Sequence, residues 1–386
     1  RPFIPSTSID WDVDKLTPYI KDDLPTGTTD DGAPDYNWNP QPYYFDKVEE
    51  VHLQMFRNEM GVPSIPVYSS LRKFIPSVNP DHLQNLSNPI YPLDSVWAEH
   101  GAWDGPNYCF RAYDNAIRTL YGNPTTAQQY ADNAQYVNAD SYRAMYEGAN
   151  HRMWDITSGV MLWKLNSCWP DVGWQIYDWF LNPNAAYFFS KKAMEPLHIQ
   201  MNANSRQLSI INATHRLQQS LSIEAEIIDY NMNVLWKYTD SVSVKADSYK
   251  EYTAIPKPMN SKPIYFVKLT LKDKNGRLIS DNLYWNCAQH EDFSELAALP
   301  KVKLKKTVSI TDQGNELKIE VKLKNEGNSL SFFNRLKLCK ENTGVEVLPT
   351  FWSDNFVTLF PGEEKTITAV VAKSDLAGAN PLIDIE

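Results

Sequence analysis

Three tryptophans, an asparagine and a proline crowd into one stretch, Gly159-Val-Met-Leu-Trp163-Lys-Leu-Asn166-Ser-Cys-Trp169-Pro170-Asp-Val-Gly-Trp174-Gln-Ile-Tyr177-Asp178. Flat indole faces beside a few hydrogen-bonding groups suit a sugar. Its C–H faces stack on aromatic rings, and its hydroxyls need fixed polar partners. The stretch opens as a short apolar strand, Val160-Met-Leu-Trp163, and breaks into a loop. Its polar and aromatic groups therefore fall at the C-terminal end of a strand, where (β/α)8 barrels keep their active sites. For each tryptophan, ordinary aromatic packing is the competing explanation.

Other chemistries find less support. The seven histidines are scattered and show no zinc-ligand spacing. No glycine-rich phosphate loop is present. Asp10, Asp12 and Asp14 alternate as calcium ligands would, but no glycine or closing glutamate follows at EF-hand spacing, so a solvated acidic turn is expected. Neither a metal nor a cofactor is implied. Cys109, Cys168, Cys287 and Cys339 lie far apart and read as buried free thiols. The formal net charge of -10 argues against nucleic acid or an anionic membrane as the main partner. No apolar run approaches the roughly 20 residues that span a bilayer. Twelve Trp and 21 Tyr are a heavy aromatic load, and the excess sits mostly in the first half, which favours a carbohydrate partner.

The elements that must position these groups follow from periodicity. Residues 125–152 read as a long helix, with Tyr142, Met145, Tyr146 and Ala149 on one apolar face. A helix followed by a strand is expected again around Ser69–Phe74, which makes the first half α/β in character. After Glu195-Pro196 the pattern changes to alternating strands, including Gln207–Ile211, Leu221–Ile228, Ile264–Leu271, and Arg277–Ser280 leading into Leu283–Trp285. Residues 287–301 read as a linker. Strands are then expected at Val302–Ile310, Glu316–Leu323, Phe333–Cys339 and Lys365–Val371. Each block has the length and strand density of an immunoglobulin-like sandwich.

The motifs resemble those of glycoside hydrolase family two, in the branch of exo-β-D-glucosaminidases, mannosylglycoprotein endo-β-mannosidases and β-mannosidases. Leu162-Trp163-Lys-Leu-Asn166 through Tyr177-Asp178, followed by Ala186-Tyr187 through His198-Ile-Gln200, is similar to the eighth-strand region of that branch. Phe56-Arg-Asn58-Glu59-Met-Gly61-x-Pro63 resembles its nucleophile segment after barrel strand seven. Pro34-Asp35-Tyr-Asn-Trp38-Asn-Pro40 resembles the strand-six region, and Trp352 through Pro361-Gly362 a strand pair of the last β domain. The resemblance implies a (β/α)8 TIM barrel and two sandwiches.

It also implies site roles. Glu59 is the nucleophile of a retaining glycoside hydrolysis, and Trp163 is the floor beneath the reacting sugar. Asn166, Trp169 and Trp174 line the entrance, with ordinary loop packing the competing reading of each. Asp35, Trp38 and Tyr44 are candidates for the strand-six rim and Glu99, His100 and Trp103 for the leaving-group side, with turn formation and loop packing the competing readings. The resemblance also implies a cis peptide after Trp163. The acid/base glutamate of that branch follows an asparagine at strand four, and no such pair is visible before Glu59. A barrel needs about 250 residues, and only about 195 precede the sandwiches. The resulting expectation is a C-terminal portion: residues 1–195 a partial barrel of about strands five to eight, 196–290 one immunoglobulin-like sandwich, and 300–386 a second. The remainder of the enzyme, N-terminal to Arg1, then becomes a partner. The alternatives are a non-catalytic carbohydrate-binding or scaffold protein with a degenerate barrel, and a heteromeric enzyme.

Overall fold

The computed structural model of the chain describes residues 36–50, 56–75, 95–101, 110–155, 157–258, 263–288 and 291–386. In order, its first part carries α1 (Gln41–Glu50), β1 (Phe56–Met60), α2 (Tyr68–Leu71), α3 (Ser95–Glu99), α4 (Phe110–Tyr121), α5 (Ala127–Asn150), β2 (Gly159–Leu162) and α6 (Ala185–Ala193).

The long helix α5 forms where its periodicity predicts. Thr126 caps its start by accepting the Gln129 N–H at 3.0 Å, and the Gln129 side chain reaches back to the Thr125 N–H at 2.8 Å. Two orphan amides of the first turn region are satisfied by neighbouring side chains in this way. Its apolar residues serve two cores. Tyr130, Ala131, Ala134 and Val137 join α2–α4 in one, and Tyr142, Ala144, Met145 and Tyr146 join Met60, Val62 and Ile176 in another. A helix whose two halves are buried in different cores fixes both the chain that follows β1 and the loop that follows β2.

Strands β1 and β2 pair in parallel, Phe56 beside Gly159 and Met60 beside Leu162, with an irregularity between. A parallel pair needs a long crossover, and α4 and α5 lie in the chain between these two strands.

The remainder is all β. Strands β3 (Leu197–Met201), β4 (Gln207–Asn212) and β7 (Ser248–Ala254) form one sheet. Strands β5 (Gln218–Asp229), β6 (Val234–Val244), β8 (Ile264–Lys272) and β9 (Leu278–Cys287) form the opposing one, in the order β6-β5-β8-β9. Ile199, Ile210, Ile223, Val267 and Leu269 fill the space between them. The second unit contains β10 (Lys305–Asp312), β11 (Glu316–Lys324), β12 (Ser331–Asn334), β13 (Leu336–Lys340), β14 (Phe351–Trp352), β15 (Val357–Leu359), β16 (Glu364–Ala372), the short α7 (Lys373–Leu376) and β17 (Pro381–Ile385). Its main sheet has the order β10-β11-β16-β14, with β12-β15 and β13-β17 as separate pairs.

Four expectations need correction. The segment 287–301 is not a bare linker: Phe293 and Leu296, three residues apart around a 3-10 turn, are buried, and Phe293 stacks near Tyr121 at 5.5 Å. The strand expected from Val302 begins only at Lys305. Phe333–Cys339 is broken into two strands, and Phe333 has φ +56°, which a continuous ladder does not accommodate. Cys168 is exposed rather than buried, because it lies in the loop after β2, whereas Cys287 and Cys339 are buried free thiols as expected. Cys109 lies outside the described residues. So do Asp10, Asp12, Asp14, Asp35 and Trp103.

Candidate active site

Parallel pairing sets the C-terminal ends of β1 and β2 side by side, and the Trp163 N–H donates to the Met60 carbonyl at 2.9 Å. Gly61 makes the close approach feasible. A Cβ there would sit 1.9 Å from the Trp163 carbonyl oxygen, a distance no side chain tolerates. The Trp163–Lys164 peptide is cis, as the motif implied. Trp163 is 45% exposed in this chain.

Glu59, the penultimate residue of β1, is half-buried, and its Oε2 accepts a hydrogen bond from the Tyr36 hydroxyl. The Tyr36 carbonyl in turn accepts the Trp174 indole N–H at 3.0 Å, and the two rings meet edge to face at 5.8 Å. Tyr36 thus joins the carboxylate to the loop tryptophan. The loop itself is pinned from below, where the Tyr142 hydroxyl lies between the carbonyls of Val62 (2.7 Å) and Trp174 (2.6 Å). Asp171 braces the same turn. It accepts from the Gln175 amide at 2.9 Å and sits 3.4 Å from the Lys164 ammonium. Further on, Asp178 accepts the backbone N–H groups of Phe180 (2.8 Å) and Asn182 (3.0 Å); burial raises its pKa above the ordinary carboxylate value, and those hydrogen bonds oppose the rise.

A second cluster joins this loop to the turn after α3. Trp169 is 40% exposed and stacks on His100, with centroids 5.0 Å apart and planes 24° apart. His100 Nδ1 lies 2.6 Å from the Pro170 carbonyl, so that nitrogen carries the proton and donates. Gly101 has φ +103° and brings the turn after α3 against the Val172 carbonyl. Asn166 is exposed, and its amide donates to the Ser167 carbonyl of its own loop at 3.3 Å. Trp38 packs half-buried against both cores of the first part, Tyr44 is buried, and Glu99 is exposed on α3. The structure therefore sets Glu59 and Trp163 at the same end of adjacent strands, links Glu59 to Trp174 through Tyr36, and stacks Trp169 on His100. Among the described residues no group of three potential metal ligands occurs.

Sequence reasoning missed Tyr36, although it stands between Asp35 and Trp38 in the tyrosine-rich segment. A phenol two positions from a proline carries no spacing signal toward a carboxylate 23 residues away.

The surroundings of this site, and the two sandwiches, match known proteins. A family model described as the exo-β-D-glucosaminidase Ig-fold domain covers residues 282–386, and one described as the mannosidase Ig/CBM-like domain covers 204–288. The exo-β-D-glucosaminidase of Streptomyces avermitilis is 28% identical over 91% of this chain and 41% of its own. The chain is thus similar over most of its length to exo-β-D-glucosaminidases and mannosidases of glycoside hydrolase family two. The mannosylglycoprotein endo-β-mannosidase of Lilium longiflorum is 26% identical over 76% of the chain and 31% of its own. The crystal structure of the Amycolatopsis orientalis exo-chitosanase superposes with a TM-score of 0.78 and 25% identity, over 92% of this chain and 44% of that one. The chain spans about two fifths of the length of the glucosaminidases it matches. Immunoglobulin-like sandwiches are thereby established for the C-terminal half.

Proposed function

We propose that the chain is the C-terminal part of a retaining β-glycosidase acting on β-linked glucosaminides or mannosides. Residues 1–195 supply the last strands of a (β/α)8 barrel, 196–290 and 300–386 the two sandwiches. The observation that carries this reading is the parallel β1–β2 pair, with Glu59 and Trp163 at the same end of adjacent strands.

In this reading Glu59 attacks the anomeric carbon and forms a glycosyl ester, while a second carboxyl, about 5–5.5 Å away, protonates the departing oxygen. Water then attacks the anomeric carbon, the second carboxylate takes its proton, the bond from that carbon to the Glu59 oxygen breaks, and Glu59 leaves as carboxylate. That second carboxyl comes from a segment outside this chain. General acid assistance contributes roughly 10²–10⁴-fold, so the chain alone turns over poorly. The Tyr36 hydroxyl orients the Glu59 carboxylate. Trp163 forms the floor under the sugar, Trp174 and Trp169 wall the entrance, and Asn166, Asp35 and Trp38 contribute at its margins.

A 2-deoxy-2-fluoro β-glycoside with a dinitrophenolate leaving group needs no protonation and traps the ester. Mass spectrometry of the digested protein should find the fluorosugar on the peptide carrying Glu59. A label on another carboxylate removes Glu59 from this role. Sugar binding without any label supports the non-catalytic alternative instead.

A further inference from the structure

Strand β10 stands at the edge of the last sandwich. It pairs with β11 over eight residues without a bulge, from Lys305 beside Lys324 to Asp312 beside Leu317. Its other edge pairs with no strand among the described residues. All eight residues are exposed. That includes Val308 (38%) and Ile310 (47%), although they lie on the same face as the buried Val321 and Ile319 opposite them. The inner face of β10 therefore overhangs the core. A long, straight edge with uncovered apolar side chains is a template for a further strand.

The sequence of the strand specifies which strand fits. We propose that β10 docks antiparallel on β10 of a second copy, joining the two main sheets into one. A two-fold axis perpendicular to a sheet keeps each side chain on its own face, so paired positions are an even number of residues apart. Centring the axis on Ser309 satisfies this and sets Val308 against Ile310 of the second copy, Thr307 against Thr311, and Lys306 against Asp312. Apolar meets apolar, hydroxyl meets hydroxyl and cation meets anion, each twice. Centring on Val308 would set Lys306 against Ile310, and centring on Ile310 would set Val308 against Asp312. Only the Ser309 register is self-complementary. Asp312 is exposed and already held by Lys373 at 2.6 Å, so a second lysine would extend an existing pair, while Lys306 would exchange its bond to the Ile383 carbonyl. An edge-to-edge contact lies at the small, weak end of protein interfaces.

Sedimentation equilibrium of the chain, carried to hundreds of micromolar, should show the apparent mass rising toward twice the monomer. Lys306→Asp or Asp312→Lys alone should weaken association at least tenfold, and the two together should restore it. Thermal melts check that each variant folds. A covalent test fixes the register. With Cys168 replaced by serine, Ser309→Cys faces itself across the axis and should give a disulfide-linked dimer under mild oxidation. Thr311→Cys, four positions out of register with its own copy, should not. A monomer at every concentration with no Ser309→Cys dimer overturns the proposal. So does equal linking by both cysteines, or an association that Lys306→Asp leaves unchanged.

Discussion

The Tyr36 hydroxyl donates to Glu59 Oε2 while the Tyr36 carbonyl holds the Trp174 indole, so one residue sets both the carboxylate and the aromatic wall beside it. Tyr36→Phe keeps the ring against Trp174 and removes only the hydroxyl. Hydrogen bonds to charged groups contribute about 1.5–3 kcal/mol, which corresponds to about 10- to 100-fold in rate. In the full-length protein kcat/KM should fall by that factor with little change in melting temperature. An unchanged rate would mean that the reacting carboxylate is not the one Tyr36 holds.

Glu59→Gln removes the nucleophile and keeps the shape and the contact with Tyr36. Under the proposed mechanism kcat falls by several orders of magnitude while the circular dichroism and melting curve stay those of the parent. Near-normal turnover by this variant would transfer the role to another carboxylate.

Gly61 and Gly276 separate close approach from backbone conformation. A methyl at Gly61 meets the Trp163 carbonyl at 1.9 Å, backbone against backbone, so β1 and the Trp163 turn must part. Gly61→Ala should cost on the order of 3 kcal/mol, in the range of core overpacking, and should alter Trp163 fluorescence. Gly276 has φ +78° and nothing within 4 Å, so Gly276→Ala carries only the left-handed strain of roughly 1 kcal/mol. Equal denaturation midpoints for the two variants would contradict the packing read at Gly61.

Elements with one clear period were legible in the sequence: the helix α5 and the alternating strands β4, β5, β8, β11 and β16. The Trp163 loop was legible because three tryptophans at a strand end are compositionally rare. The contacts that organise the site were not. The Tyr36–Glu59 bond and the Trp169–His100 stack join residues 23 and 69 positions apart, and nothing local marks them. Strand breaks escaped for a related reason. Phe333 takes a positive φ inside an apolar run, and such a run looks the same with or without the break. Trp38 shows the opposite limit. Its type suited a sugar rim equally well as a core, and the structure shows it packed half-buried against two cores.

The joint between the first part and the first sandwich carries a pH dependence. Glu147 of α5 and His198 of β3 are both fully buried, with His198 Nε2 3.2 Å from Glu147 Oε1 and Nδ1 3.3 Å from Glu195 Oε2. Asn282 and Tyr284 of β9 also donate to the Glu147 carboxylate, at 2.5 and 2.8 Å. Burial opposes charge on His198, but the hydrogen bonds to Glu147 and Glu195 outweigh it, and its pKa lies above the ordinary 6.5. A group with a raised folded pKa gives its full stabilisation below its unfolded pKa and loses it as pH climbs through the folded value. The melting temperature should therefore fall as the pH climbs past 6.5 and through the raised folded value, once protonated His198 can no longer pair with Glu147. In His198→Gln that part of the slope should vanish, and the variant should be less stable at about pH 6 by roughly 3–5 kcal/mol, because Glu147 is left buried without its cation. A melting profile with the same slope in both proteins would show that His198 is neutral in the fold, and that Asn282 and Tyr284 alone hold the Glu147 carboxylate.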